Sequence, residues 1–160
     1  MKKLLAVALA AMMLLAMSAC ALAEADLSDW VEVELPDIQM HFYRPADMEA
    51  GEITDADAEN GLIYIVYNDD LVLQLYVTED DGSTVEDIVA AYEAQGLTVV
   101  VDGLADAGLA YSHILVGNDT NAIVMFLGTD GYWYNFAATS ANDNGGVTFG
   151  MILATLADME

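Results

Sequence analysis

Carboxylates are the one functional group that the sequence carries in quantity, with 27 Asp and Glu among 160 residues against three Lys and Arg. Several of these side chains lie close together in two short stretches of the sequence. The first stretch contains Asp55, Asp57 and Glu59, and the second contains Glu79, Asp80 and Asp81. Calcium binds to clusters of oxygen atoms on flexible loops. Both stretches are therefore candidate Ca²⁺ sites, against the alternative that acidic runs are solvated surface with diffuse counterions.

The first stretch resembles the start of an EF-hand loop but does not complete one. Counted from Asp55, Gly61 stands at the seventh position instead of the sixth, and Val66 stands at the twelfth, where an EF-hand has Glu. A second use of carboxylates, glycoside hydrolysis, needs two of them facing each other across a cleft. The sequence selects no such pair, and a carboxylate-dependent hydrolase is kept as an alternative.

Histidine, serine and cysteine indicate no catalytic arrangement. His41 and His113 are the only histidines and are predicted on different strands, so they do not form a metal-binding pair. Ser112 and His113 lack the strand-to-helix turn of a hydrolase nucleophile. Cys20 is the only cysteine, which excludes an intramolecular disulfide and a cysteine-ligated zinc site. We predict no catalytic residues, no cofactor other than Ca²⁺, and a protein that is not an enzyme.

Aromatic residues near the C terminus form a second kind of candidate site. Tyr132, Tyr134 and Phe136 alternate on one face of a predicted strand, and Trp133 lies on the other face. An exposed row of this kind would suit a carbohydrate or a peptide. Aromatic side chains more often fill a protein core, and we favour that interpretation here.

The charge balance excludes several classes of partner. Two of the three basic residues, Lys2 and Lys3, lie at the N terminus. If residues 1–23 are removed as a signal peptide, the remaining chain has Arg44 as its only Lys or Arg against all 27 acids, and a formal charge of −26. Nucleic acids and anionic lipid surfaces are bound through clustered Lys and Arg. A hydrophobic content of 56% excludes a disordered polar chain. We expect a protein or cell-envelope ligand and no nucleic acid.

The N terminus predicts export from a bacterial cell. Two lysines precede the apolar stretch 4–17, which has the length of a signal-peptide core and is too short to span a bilayer. The sequence ALA at 21–23 suits signal peptidase, and the residues before Cys20 resemble a lipobox, in which that cysteine would carry a lipid. We predict a signal peptide at 1–23 and one domain at 24–160, secreted or lipid-anchored, with membrane contact only through the signal or the lipid.

The mature chain contains eight segments with the pattern of β-strands. They cover 31–35, 38–42, 62–67, 71–77, 97–101, 109–116, 122–127 and 132–138. Short turns join most of them, which indicates antiparallel pairing, because parallel crossovers need about a dozen residues. Several strands are apolar on both faces and therefore need a packed layer on each side.

Two helices accompany these strands. Ser83 and Glu86 match a capping box, and Gly96 suits the end of the helix that follows. A closing helix is marked by Phe149, Ile152, Leu153 and Leu156. The stretch 45–61 is either a loop or a short acidic helix. We predict an α+β fold with a single antiparallel sheet of about six or seven strands flanked by helices.

Five elements follow one another in the order of a PsbP-like α/β/α sandwich. They are the hairpin WVEVELPDIQMHFY, the strand pair GLIYIVYNDDLVLQLYV, the helix STVEDIVAAYEAQG, a run of antiparallel strands that ends in DGYWYNFAAT, and the helix FGMILATLADME. The chain resembles this family in the order of its elements over nearly the whole mature domain, with no diagnostic motif. The resemblance implies an extracytoplasmic, generally non-enzymatic binding or accessory domain. It carries over no functional residue.

The leading hypothesis from the sequence is therefore a secreted or surface-tethered bacterial binding or accessory domain without enzymatic activity. An acidic, Ca²⁺-binding extracytoplasmic protein is the first alternative, because carboxylates are so abundant. A carboxylate-dependent hydrolase is the second.

Overall fold

A computed structural model describes residues 27–36, 39–105, 111–118, 120–128 and 130–158. Within these ranges the chain forms ten strands and three helices. The strands are β1 (Trp30–Leu35), β2 (Met40–Pro45), β3 (Glu49–Ala50), β4 (Leu62–Tyr67), β5 (Leu71–Glu79), β6 (Thr98–Val101), β7 (Ile114–Gly117), β8 (Asn121–Leu127), β9 (Tyr132–Ser140) and β10 (Ala157–Asp158). The helices are α1 (Asp55–Glu59), α2 (Val85–Ala94) and α3 (Asp143–Ala154). The predicted signal peptide and Cys20 lie outside the described residues.

Seven of the strands form the main sheet, in the order β3-β4-β5-β9-β8-β7-β6. Every neighbouring pair is antiparallel. The long strands β5 and β9 pair at the centre, from Leu71 opposite Ser140 to Glu79 opposite Tyr132. The predicted α+β fold with an antiparallel sheet and flanking helices is confirmed.

The predicted N-terminal hairpin forms as β1 and β2, but it does not join the main sheet. Strand β2 pairs with β1 on one side and with β10 on the other, which gives a separate three-stranded sheet. Phe42 of β2 is buried and packs edge-on against the rings of Tyr64 and Phe136. The small sheet therefore covers part of the main sheet. Alternation along a strand indicates its buried face but not its partner strands.

One face of the main sheet, here called the core face, carries most of the apolar interior. Helix α3 lies on it, with Phe149, Ile152 and Leu153 buried against the residues of β5 and β9. The ring of Phe126 stacks between those of Tyr111 and Tyr134. Burial of large apolar side chains is the main stabilising contribution to folding. The core face therefore holds the domain together.

The opposite face of the main sheet is only partly covered. Helix α2 packs there on β6 and β7, where Ile88 and Tyr92 contact a smaller cluster that includes Ile114 and Trp133. No residue of α2 is itself buried. Helix α2 and this cluster therefore cover β6, β7 and the Trp133 end of β9, whereas the side chains of β5 on this face and Asn135, Ala137 and Thr139 of β9 keep some contact with solvent.

The helix boundaries differ slightly from the predictions. The N-cap of α2 is Thr84, with Asp87 closing the capping box, one residue after the predicted Ser83 and Glu86. Gly96 follows α2 with φ of 80°, which confirms it as the terminating glycine. Within 45–61, a short acidic helix forms at α1, capped by Thr54. Helix α3 ends before Leu156.

The predicted strand 109–116 is too long at its start. Strand β7 begins at Ile114, and residues 111–113 are not part of it. The side chain of His113 instead makes hydrogen bonds with neighbouring backbone groups, and Asp102 accepts a bond from the His113 amide. These contacts take the chain out of the strand geometry. Residues 109 and 110, and Ile38 of the second predicted strand, lie outside the described ranges.

Helix α3 begins in close contact with the turn between β4 and β5. A Cβ atom at Gly145 would lie 2.2 Å from the Asp70 carbonyl oxygen, whereas one at Gly146 would meet nothing within 4 Å. The Ala141 amide donates to the same Asp70 oxygen at 2.9 Å. The absence of a side chain at Gly145 therefore allows α3 to approach this turn.

Replacement of these two adjacent glycines by alanine provides a matched test of this contact. We expect Gly145→Ala to lower the free energy of unfolding by about 1–3 kcal/mol, because the new methyl group would displace backbone. We expect Gly146→Ala to raise it by about 0.5–1 kcal/mol, because alanine favours the helix and meets no obstacle. Urea unfolding of both variants measures the difference, and equal effects would contradict the close approach.

Candidate functional site

A cleft of about 500 Å³ opens at one end of the main sheet. Its lining comes from the turn after β2, from β3, and from the end of β4 with the turn that follows it. The lining residues are Asp47, Glu49, Tyr67, Asn68, Asp69 and Asp70. Four of the six are acidic, and we call this group the acidic cleft. Pairing of β3 with β4 brings Asp47 and Glu49 beside a turn that lies about twenty residues later in the chain.

Asn68 organises the acidic cleft. Its side-chain oxygen accepts hydrogen bonds from the amides of Asp70 and Leu71, at 3.1 and 3.0 Å, which fixes the turn between β4 and β5. Its side-chain nitrogen donates to Asp47 at 3.1 Å. On the other side of the turn, the Asn142 amide donates to Asp70 at 2.6 Å. Uncharged amides therefore position Asp47 and Asp70, and neither bond supplies a positive charge.

In the described residues, no Lys or Arg neutralises these carboxylates. Arg44 lies nearby in sequence, but its guanidinium donates to the carbonyls of Pro45 and Met48 and to the Tyr64 hydroxyl, each at 2.9 Å. Carboxylates grouped without a cation repel each other and attract positive charge. The acidic cleft can therefore bind a cationic group by charge and by hydrogen-bond acceptance.

The first predicted calcium stretch falls on α1. The Thr54 hydroxyl donates to Asp57 at 2.6 Å within the capping box, and this bond lowers the pKa of Asp57. Asp55 and Glu59 are four residues apart and share one face of α1, but Asp57 is two positions from each of them and lies on a different face. The three carboxylates are thus not brought together around one point.

The second predicted calcium stretch follows β5. Asp80 accepts hydrogen bonds from the Gly82 amide at 3.0 Å and from the Trp133 indole at 3.2 Å. Hydrogen bonding from Ser83 lowers the pKa of Asp81. Over the described ranges, no group of three His, Cys, Asp or Glu side chains is arranged to hold a metal ion. Calcium binding at either stretch stays a prediction.

The two histidines serve structural contacts. His113 is buried, and its Nε2 atom accepts a hydrogen bond from the Leu104 amide at 2.8 Å. Its Nδ1 atom must then carry the proton and donate to the Tyr111 carbonyl at 2.7 Å. His113 is therefore a hydrogen-bonded core residue. His41 lies at the surface of the small sheet, with Nδ1 2.6 Å from a Glu32 oxygen.

The aromatic row of β9 belongs mainly to the interior. Trp133, Tyr134 and Phe136 are buried, which confirms the favoured core interpretation for them, and Tyr132 is exposed. The Tyr134 hydroxyl hydrogen-bonds a carboxylate oxygen of Asp130. Burial, together with this negatively charged neighbour, raises the pKa of Tyr134 to about 12. This row therefore does not form an exposed ligand platform.

Comparison with solved structures identifies a similar fold. Cyanobacterial PsbP (CyanoP) from Synechocystis sp. PCC 6803, known as a solution structure, is similar with a TM-score of 0.57 at 11% sequence identity. The likeness covers 84% of this chain and 95% of that one. The PsbP-like fold that the order of elements indicated is thus confirmed. No family model matches the sequence, and no curated protein matches it.

A crystal structure from Bacteroides thetaiotaomicron VPI-5482 has a TM-score of 0.49 at 15% identity. The match covers 82% of this chain but only 49% of that one. The helices that the structure describes here include none with the length and hydropathy of a membrane span.

Ionisation of Tyr134 gives the domain a pH dependence at the alkaline end. A free tyrosine has a pKa of about 10, so the unfolded chain loses this proton before the folded chain does. We expect the free energy of unfolding to fall as the pH rises from about 10 to about 12. Tyr134→Phe should flatten this slope and Tyr132→Phe should not, as measured by urea unfolding across the range. Equal slopes in both variants would contradict the assignment.

Thermal melts in different salts test the uncompensated charge and the calcium prediction together. We expect the melting temperature to rise with NaCl from about 0.01 to about 0.15 M, because the screening length falls from about 30 to about 8 Å. CaCl₂ and MgCl₂ at matched ionic strength are the comparison. A saturating rise specific to Ca²⁺ would support the calcium stretches. Equal rises would count against them, and no dependence on NaCl would contradict the repulsion.

Proposed function

We propose that this chain is a non-enzymatic, extracytoplasmic accessory domain that binds a positively charged partner through its acidic cleft. The observation that carries the proposal is the grouping of four acidic residues around Asn68 with no basic side chain of the described chain to neutralise them. The cleft is open and held by hydrogen bonds of its own turn, so a ligand would meet a preformed site.

Two further observations support a binding function over an enzymatic one. Both ring nitrogens of His113 are engaged by backbone groups, so this buried imidazole is not available as a general base. The fold is similar to that of CyanoP. The PsbP-like family that the sequence resembles consists of generally non-enzymatic binding or accessory domains. Fold similarity alone is weak support for function, and the charge of the cleft is the stronger argument.

Export follows from the N-terminal segment in this proposal. Cleavage after Ala23 would release a secreted domain, and lipidation of Cys20 would tether it to the cell membrane. The mass of the mature N terminus distinguishes the two routes. Calcium binding and carboxylate-dependent hydrolysis remain alternative proposals, because both would also use acidic side chains.

Neutralisation of the cleft tests the proposed function directly. We expect a short oligolysine peptide to bind the purified protein, with an affinity that falls as NaCl is added. The triple variant Asp47→Asn, Glu49→Gln, Asp69→Asn should weaken binding about tenfold, because it removes three charges and keeps the side-chain shapes. Isothermal titration calorimetry measures both affinities.

A second triple variant controls for net charge. Glu34→Gln, Glu86→Gln and Glu93→Gln also remove three charges, at exposed positions of β1 and α2 outside the cleft. This control should bind nearly as well as the unchanged protein. If both triple variants lose the same affinity, the peptide binds the overall charge and the cleft has no special role.

A further inference from the structure

The open part of the second sheet face lies beside the acidic cleft. Six side chains of β5 and β9 point to this face, on alternate positions of the two strands. They are Val72, Gln74, Tyr76, Asn135, Ala137 and Thr139. We call them the open strip. Register confirms that they are direct neighbours, with Val72 opposite Thr139, Gln74 opposite Ala137, and Tyr76 opposite Asn135.

The open strip is apolar in part and keeps contact with solvent. Five of its six residues are half-buried and Thr139 is exposed, whereas the alternate residues of the same strands, Leu73, Leu75 and Phe136, are completely buried on the core face. Helix α2 covers β6 and β7, and α3 lies on the opposite face. On neighbouring β4, Ile63 and Tyr67 are 42% and 41% exposed.

One polar group in the strip is left without a hydrogen bond. The Oδ1 atom of Asn135 is buried and has no donor among the described residues. A buried acceptor in this state costs free energy, and native proteins rarely keep one without a reason. The strip therefore contains one buried acceptor whose hydrogen-bonding capacity the described residues leave unused.

The dimensions of the strip indicate the size of its occupant. From β4 across β5 to β9 there are two interstrand spacings, or about 10 Å. The strip residues of β5, Val72 to Tyr76, extend for about 14 Å, and Asp70 and Glu79 beyond its two ends lie about 30 Å apart along the strand. An α-helix with its side chains is about 10–12 Å wide. The surface therefore fits one helix or one extended segment better than the broad face of a folded domain.

Charge determines the chemistry of that segment. Asp69 and Asp70 precede β5 at one end of the strip, and Glu79, Asp80 and Asp81 lie at the other end. A second copy of this chain would bring the same negative charge to the contact and would be repelled. A segment with Lys or Arg at both ends and apolar residues between them complements both the charged ends and the middle.

We propose that the open strip is the docking surface for an amphipathic segment of a partner protein that carries basic residues at both ends of an apolar centre. This inference rests on the proposed function, because it specifies the partner that the acidic cleft attracts. Tyr67 lines the cleft and pairs with Val72 of the strip, so the two surfaces are continuous. One segment can therefore contact both.

Two synthetic peptides separate the strip from the cleft. Both are about 20 residues long, enough to cover about 30 Å as a helix, and both carry three lysines at each end. The first has a leucine and alanine centre, and the second has a serine and glycine centre. We expect the first to bind at least about tenfold more tightly, because only its centre can pack against the apolar side chains of the strip, Val72, Tyr76 and Ala137.

A pair of alanine-to-arginine variants assigns this difference to the strip. Ala137→Arg places a large cationic side chain at its middle and should reduce the affinity for the first peptide to that for the second. Ala90→Arg makes the same change at an exposed position of α2 and should leave the difference intact. Gln74→Arg, at the position opposite Ala137, repeats the test if Ala137→Arg does not fold by circular dichroism.

The outcomes distinguish failure of this inference from failure of the proposed function. Equal affinities for the two peptides, or no effect of arginine in the strip, would overturn the docking surface and leave binding at the acidic cleft intact. No binding of either peptide would overturn both. If the purified protein is a dimer that Ala137→Arg converts to a monomer, the occupant is a second copy and the proposal is wrong.

Discussion

The scarcity of positive charge constrains every polar contact in this domain. Arg44 is the single Lys or Arg of residues 24–160, and its guanidinium bonds two carbonyls and a tyrosine hydroxyl. The acidic side chains must therefore find neutral donors. Asn68 binds Asp47, Asn142 binds Asp70, and elsewhere hydroxyls, an indole and backbone amides do the same. Such bonds fix the carboxylates in position without removing their charge, so the fold is stabilised by its apolar core and opposed by its own surface.

This constraint connects the architecture to the site. The turn between β4 and β5 must hold two adjacent aspartates, and it is stabilised by Asn68 from within and by the start of α3 from outside. The close approach at Gly145 allows the second contact. A helix that completes the core thus also supports the wall of the acidic cleft. This one turn couples the stability of the fold to the position of the cleft carboxylates. Without the contact with α3, the turn would no longer hold Asp69 and Asp70 in place.

The sequence predicts much of this fold and little of the site. Strand positions follow from alternation and from apolar runs, because these patterns report burial directly. The sequence predicts the cap of α2 one residue early, because Ser83 with Glu86 and Thr84 with Asp87 both have the capping-box spacing. Runs of acids indicate candidate sites within one segment of the sequence, whereas the acidic cleft joins Asp47 to Asp69 through the pairing of β3 with β4. No local pattern reports such a pairing. A two-residue strand such as β3 has too few residues to show a period.

The cleft and the open strip would contribute to binding in different ways. Exposed charges act over the screening length, so the carboxylates at the ends of β5 would steer a basic segment and set mainly the rate of association. Apolar contacts act only at contact distance, so the strip around Ala137 would set mainly the rate of dissociation. A domain with so much uncompensated charge attracts many cations weakly. A partly apolar surface between two acidic ends would let it retain a basic segment whose shape and sequence fit that surface. This combination gives selectivity that charge alone does not provide.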